Sequence, residues 1–243
     1  SIINPISGTS NKENVPDIVR QVLVDCDFDI TIKFTEYAGH ATELAKQAIS
    51  ENFYGVIAIG GDGTINEVAS SLRDSNTILG IVPCGSGNGL ARHLNIPIDI
   101  KKSLKIISRQ IVESLDYCTV NDKPFFCTCG VGFDAHVSKK FAEAGKRGPI
   151  TDLKKTIAEY LKYNSEEYII ETADAKIREK AFVIACGNAA QYGNNAFITP
   201  NASIHDGLID VTVIHPFTPL DTPLIGLLLF SKHLDQDTNI HCF

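Results

Sequence analysis

Apolar positions recur along the first 110 residues with two alternating periods. Ile2 and Ile3 run into a polar turn, Asn4 to Gly8, and residues 14–23 then place Val15, Ile18, Val19, Val22 and Leu23 on one helical stripe. Residues 28–34 alternate apolar and polar as a strand does, and residues 41–49 return to helical spacing with Leu44, Ala45, Ala48 and Ile49 on one face. The β-branched run at residues 56–59 stops abruptly at Gly60, Gly61, Asp62 and Gly63, after which Ile65, Val68, Ala69 and Leu72 follow with the helical period. Residues 77–82 read as one more strand. Regular alternation of strand and helix predicts an α/β region: a parallel sheet covered by helices, with a ligand crevice along the C-terminal strand ends.

Beyond about Glu113 the pattern changes. Strands are predicted at residues 115–120, 125–131, 168–172, 175–178, 181–186 and 209–214, joined by short turns such as Asn121-Asp122. An antiparallel sheet or β-sandwich is the simplest reading, so two domains are predicted, at residues 1–113 and 114–243. Residues 137–163 interrupt the strands with a helical segment carrying Lys139, Lys140, Lys146, Arg147, Lys154, Lys155 and Lys162. A solvated helix face is preferred there over a membrane-docking patch.

Composition narrows the function classes. The 243 residues carry a formal charge of −7, which argues against nucleic acid as a partner. Hydrophobic residues make up 44% and charged residues 21%, as in an ordinary globular protein. Seven cysteines without a C-x-x-C pair, mostly within apolar runs, read as reduced, buried thiols of a cytoplasmic protein. With no apolar run of about 18 residues, any membrane contact is expected to be peripheral. The sequence contains no methionine and opens inside an apparent strand, so end residues are expected to be missing from it.

The stretch VIAIGGDGTINEV carries the clearest chemistry. Thr64 and Glu67 stand in the capping-box arrangement, which predicts that the threonine hydroxyl caps the helix while the glutamate reaches back. Glycines before a helix start let backbone N–H groups approach a ligand, and the helix N-terminus favours an anion, phosphate above all. The turn is not the dinucleotide fingerprint, since Asn66 stands at its third glycine position, and no Lys-Ser/Thr makes it a P-loop. Asp62 among these glycines reads either as a turn residue bonding its own backbone or as an acid acting through a metal or a reacting hydroxyl. The loop Ala202 to Asp210 reads first as a hairpin turn, and the histidines, His215 and His241 among them, show no metal-type spacing.

GGDGTINEV, with NPISG before it and VPCGSGNGLAR after it, resembles the catalytic domain of the diacylglycerol kinase and lipid kinase family, which includes the sphingosine kinases. The resemblance implies that ATP lies across three turns: Asn4, Ser7 and Gly8; Gly60, Gly61, Asp62, Gly63, Thr64, Asn66 and Glu67; and Gly85, Ser86, Gly87 and Asn88, with Thr35 near the nucleotide. It implies Asp62 and Asp116 as catalytic carboxylates. It also matches Ser203, Asp206 and Leu208 to a Mg²⁺ loop, through the Asp206 carboxylate and the carbonyls of Ser203 and Leu208. The implied activity is ATP- and Mg²⁺-dependent phosphorylation of a lipid hydroxyl, most simply diacylglycerol, by a protein peripheral at the inner face of the membrane. A homodimer is left open. Many bacterial members carry a D-G-E-like segment near their C-terminus; it is expected to follow Phe243, the alternative being a copy that lacks this acid. NAD kinase, which shares the GGDGT turn, and a non-catalytic lipid-binding module of the same fold are the alternatives.

Overall fold

The computed structural model describes residues 1–8, 12–26, 28–136, 163–172 and 176–243, in two compact units. The first unit comprises Ser1–Cys127, Gln191–Ala196 and Ser203–Gly207. It is built on a parallel sheet of order β2-β1-β3-β4, with β1 at Ile2–Ile3, β2 at Lys33–Phe34, β3 at Gly55–Gly60 and β4 at Ile78–Pro83. The connecting helices are α1 (Val15–Leu23), α2 (His40–Ser50) and α3 (Asp62–Leu72), followed by α4 (Gly89–His93) and α5 (Ile100–Ile107). Each of α1 to α3 presents the apolar stripe that its spacing predicts.

Val15, Val19 and Leu23 of α1 pack with Ile3, Ile59, Val82 and Leu104 in one buried cluster. Each such side chain contributes about 1.5–3 kcal/mol when fully buried. The strand expected at 28–34 contracts to the two residues of β2. Phe28, Ile30 and Ile32 do pack against this cluster, which accounts for the alternation, yet β1 offers only Ile2 and Ile3 as ladder partners.

Short antiparallel pieces follow. β5 (Cys118–Val120) and β6 (Lys123–Phe125) form a hairpin whose turn residues Asn121 and Asp122 have φ of 48° and 63°, the left-handed pair that a type I′ turn requires. The expected strand 115–120 is thus shortened. The expected strand 125–131 is divided, because Phe125 ladders with Cys118 whereas β7 (Thr128–Gly132) joins a different sheet.

The second unit comprises Thr128–Ala190, Phe197–Ala202 and Leu208–Phe243. Its hairpin β8 (Glu166–Glu171) and β9 (Lys176–Ala181) lies beside β10 (Val183–Gly187) in sequence; the short strands β11 (Gln191–Gly193) and β12 (Ala196–Phe197) come next along the chain, β11 within the first unit. β10 pairs with β7 and with β13 (Asp210–Ile214), which in turn pairs with β14 (Ile240–Cys242), giving an antiparallel sheet of order β14-β13-β10-β7. Phe182, Val183, Ile198, Ile214, Leu234 and Ile240 form its core with Ile225 of α6 (Thr222–Ser231). A parallel α/β sheet with covering helices and a separate antiparallel sheet is the fold class that the sequence pattern predicts. The basic segment at 137–162 and Ala175 lie outside the described residues.

None of the seven cysteines is fully buried: six are partly exposed and Cys242 is exposed, contrary to the expected buried thiols. Cys118, Cys129, Cys186 and Cys242 lie in strands whose faces are only partly covered, whereas Cys26 ends a short helical turn and Cys84 and Cys127 lie just beyond strand ends. Cys186 sits directly across from Cys129 in the β10–β7 ladder, and the hydrogen bond from Cys129 lowers its thiol to about 7 against the opposing effect of burial. Burial pushes the thiols of Cys84 and Cys242 up. Because the thiolate is the nucleophile, brief iodoacetamide labelling near pH 7 should modify Cys186 ahead of Cys84 and Cys242, read by peptide mass spectrometry. Preferential labelling of either of the latter would contradict this ordering. Among the described residues no helix is long and apolar enough to cross a membrane.

Candidate functional site at the C-terminal strand ends

β1, β3 and β4 end side by side, and each runs into one of the three motifs. In the first turn the Asn4 amide N–H continues the ladder to the Ile59 carbonyl, 2.9 Å away. The Asn4 side chain then divides its functions, with Oδ1 accepting from the Ile6 N–H at 3.1 Å and Nδ2 donating to Thr64 Oγ1 at 2.9 Å. Asn4 thus ties the first turn to the second. Gly8 has φ +65°, and a Cβ there would stand 2.2 Å from the Cys84 carbonyl oxygen, so only glycine permits this approach to the third turn. Ser7 donates through Oγ to the Asn4 carbonyl, and its own backbone carbonyl accepts from Lys12 Nζ. Lys12 is a buried cation, 4% exposed, that sequence reasoning missed.

The second and third turns touch backbone to backbone. A Cβ on Gly85 would lie 2.5 Å from the Gly61 Cα, and one on Gly60 would strike the Thr64 side chain at 2.6 Å. Gly61 is extended and α3 starts directly at Asp62. The Asp62 carboxylate does not bond its own turn. Its Oδ2 accepts from the Asn88 N–H at 2.8 Å and its Oδ1 from the Gly89 N–H at 2.7 Å. Asn88 is 1% exposed with φ 55°, and its side chain closes both ways on Gly85, accepting from the Gly85 N–H and donating to the Gly85 carbonyl, each at 2.8 Å. The third turn is therefore held rigid, with Ser86 exposed at its tip.

The capping box does not form. Thr64 is the third residue of α3 rather than its cap, its hydroxyl accepts from Asn4, and Glu67 Oε1 accepts from the Gly39 N–H ahead of α2 at 3.1 Å. The start of α3 consequently keeps its first amides for other partners. A Cβ on Gly63 would meet nothing within 4 Å, and Asn66 is exposed. Thr35 follows β2, its N–H donating to the Ile3 carbonyl at 2.9 Å, which sets it beside Asn4 on the same sheet edge.

Asp116 and the 203–207 loop, singled out separately in the sequence, come together. The Asp116 N–H donates to the Ile204 carbonyl at 2.9 Å and its Oδ2 accepts from the Gly207 N–H at 2.8 Å. Ser203 Oγ accepts a long bond from the His205 N–H, 3.4 Å, while Asp206 and Leu208 are exposed. Carboxylates and carbonyls are the oxygen donors that a hard cation takes.

A second returning segment was not foreseen. Gly193 has φ +123°, and a Cβ there would sit 2.7 Å from the Gly87 Cα. The Asn194 N–H donates to the Gly87 carbonyl at 3.1 Å, as does Arg92 Nε, and Arg92 Nη1 reaches Asn195 Oδ1 at 3.4 Å. The signal was the run Gly193-Asn194-Asn195, three residues tolerant of left-handed backbone.

The three glycine turns thus stand packed together at the C-terminal edge of the parallel sheet, the edge at which open α/β sheets take their ligands. Residues 1–120 match the family model described as the diacylglycerol kinase catalytic domain. Residues 127–227 match the one described as the YegS C-terminal NAD kinase beta sandwich-like domain. Residues 1–120 belong to this diacylglycerol kinase catalytic-domain family. The chain is 33% identical over 199 residues to a Klebsiella pneumoniae protein named "Probable lipid kinase YegS-like", covering 79% of this chain and 66% of that protein. It is 29% identical over 251 residues to an uncharacterized Synechocystis protein, covering 97% of this chain and 58% of that one. The chain thus spans less than two thirds of the length of these relatives. A crystal structure titled as a diacylglycerol kinase from Bacillus anthracis superposes with a TM-score of 0.76 at 21% identity, over 100% of this chain and 81% of that one, which establishes the shared fold.

Proposed function

We propose that the first unit binds ATP along the three turns and that the protein transfers the γ-phosphate to a lipid hydroxyl, with diacylglycerol or a close relative as acceptor. The observation that carries this reading is the open N-terminus of α3. Thr64, Glu67 and Asp62 all bond elsewhere, so the first-turn amides beside Gly63 stay available where the helix dipole favours phosphate. The naming of a similar Klebsiella protein as a lipid kinase supports the choice of acceptor class. Phosphoryl transfer asks chiefly for positioning and charge neutralisation. Asp62 contributes first by fixing the Asn88 and Gly89 amides of the third turn. Its remaining lone pairs serve a water of the nucleotide's metal complex or the acceptor hydroxyl.

Gly63→Ala tests the nucleotide placement. A methyl at this helical, unobstructed position should raise stability, by up to about 1 kcal/mol on helix propensity. It should also crowd a phosphate and weaken ATP binding at least tenfold by calorimetry. Unchanged affinity would remove the phosphate from α3.

Mg²⁺ is proposed in two places. With ATP it neutralises phosphate charge; in the 203–208 loop, the Asp206 carboxylate and the carbonyls of Ser203 and Leu208 would hold it, with Asp116 bracing the loop through Gly207. Removing Mg²⁺ with a chelator should lower the Tm of the native protein and leave that of Asp206→Ala unchanged. Equal shifts in both would free the loop of metal. Localisation at the inner face of a membrane follows from a lipid acceptor and is part of the same proposal.

A further inference from the structure

Glu179 of β9, His215 just after β13 and His241 of β14 converge in the second unit, far apart in sequence and unused by the proposed reaction. His215 Nε2 lies 3.6 Å from Glu179 Oε2 and 3.5 Å from His241 Nδ1, and His241 Nδ1 lies 3.8 Å from Glu179 Oε1. These separations are at or beyond the limit of a hydrogen bond. Two imidazole nitrogens and both carboxylate oxygens of Glu179 therefore gather in one place, held only by long contacts.

The other ring nitrogen of His215 settles which atom is offered. Nδ1 stands 3.2 Å from the Lys180 carbonyl, an acceptor only, so Nδ1 carries a hydrogen, and in the neutral ring it is Nε2 that presents its lone pair to the cluster. A backbone carbonyl on the distal nitrogen is the arrangement that orients and polarises metal-bound imidazoles. The spacing also fits. One ligand atom from each of the three residues lies within 4.8 Å of the others; metal–ligand bonds of about 2.0–2.1 Å in a tetrahedral site set ligand atoms about 3.3 Å apart, so side-chain rotations that draw these atoms in by up to about 1.5 Å would close the site.

We propose that Glu179, His215 and His241 form a binding site for a divalent transition metal of borderline softness, Zn²⁺ being the best match to two imidazoles and a carboxylate. The side chains of Glu179 and His215 are only 21% and 24% exposed, whereas that of His241 is 58% exposed, which leaves the fourth position to water. One ion would tie the β8–β9 hairpin to the β13–β14 edge of the four-stranded sheet.

Titration of the metal-stripped full chain with Co²⁺, followed by competition with Zn²⁺, tests this. The expected result is one Co²⁺ per chain with visible tetrahedral bands and no thiolate charge-transfer band, displaced by Zn²⁺, and at least tenfold weaker in Glu179→Gln and His215→Ala. His241→Ala, at the most exposed of the three positions, should retain the native circular dichroism and lose binding as much. No binding, a thiolate band marking a cysteine site, or unchanged affinity in folded His241→Ala would each overturn the proposal.

Discussion

Asp62→Asn lowers turnover by on the order of 10²-fold or more, the scale of a positioned catalytic group. The variant should also weaken the fold. Asparagine can offer an oxygen to only one of the two amides, Asn88 N–H or Gly89 N–H, and must turn its own NH₂ toward the other. Losing such a bond to a charged acceptor costs about 1.5–3 kcal/mol, so urea denaturation should register a loss of that size alongside the kinetic defect. The defect should appear in kcat and also in KM for ATP, because the third turn that Asp62 holds is itself part of the proposed nucleotide site. Unchanged turnover in the folded variant would remove Asp62 from the mechanism.

Gly85→Ala is the other large effect. Its Cβ would stand 2.5 Å from the Gly61 Cα and 3.0 Å from Asn88 Oδ1. The first contact is backbone against backbone, and the strand ends that carry both turns are laddered at Gly60 and Pro83, so neither side yields cheaply. Overpacking of this kind costs about 1–3 kcal/mol or more, and the displaced turn should lose at least tenfold in ATP affinity. The contrast with Gly63→Ala is informative: the same methyl in open space stabilises the helix while still weakening ATP. Equal ATP affinities for Gly85→Ala and native protein would show that the packed turns do not bear the nucleotide.

The sheet and its first helices were legible in the sequence because burial imposes a local period. Val56, Ala58 and Ile59 mark a central strand, and Ile65, Val68, Ala69 and Leu72 mark a covered helix face. The glycine turns were legible too, since few other residues fit so close an approach. What each polar side chain bonds was not. Asp62 and Gly89 are 27 positions apart and Asn4 and Thr64 are 60 apart, and only the parallel register brings them together. The capping box failed for the same reason, a local pairing of Thr64 and Glu67 giving way to longer-range partners on Asn4 and Gly39. His215 and His241 lacked metal-type spacing because antiparallel pairing of β13 with β14, and the approach of β9, supply the proximity instead.

The most direct test of the central claim is transfer of radiolabelled γ-phosphate from ATP, with Mg²⁺, to mixed micelles of individual lipids and to NAD, comparing the full-length protein with Asp62→Asn. The expected result is label in one lipid, diacylglycerol first among them, and its near disappearance in the variant. Label confined to NAD, or none in any acceptor although ATP binds, would contradict lipid phosphorylation.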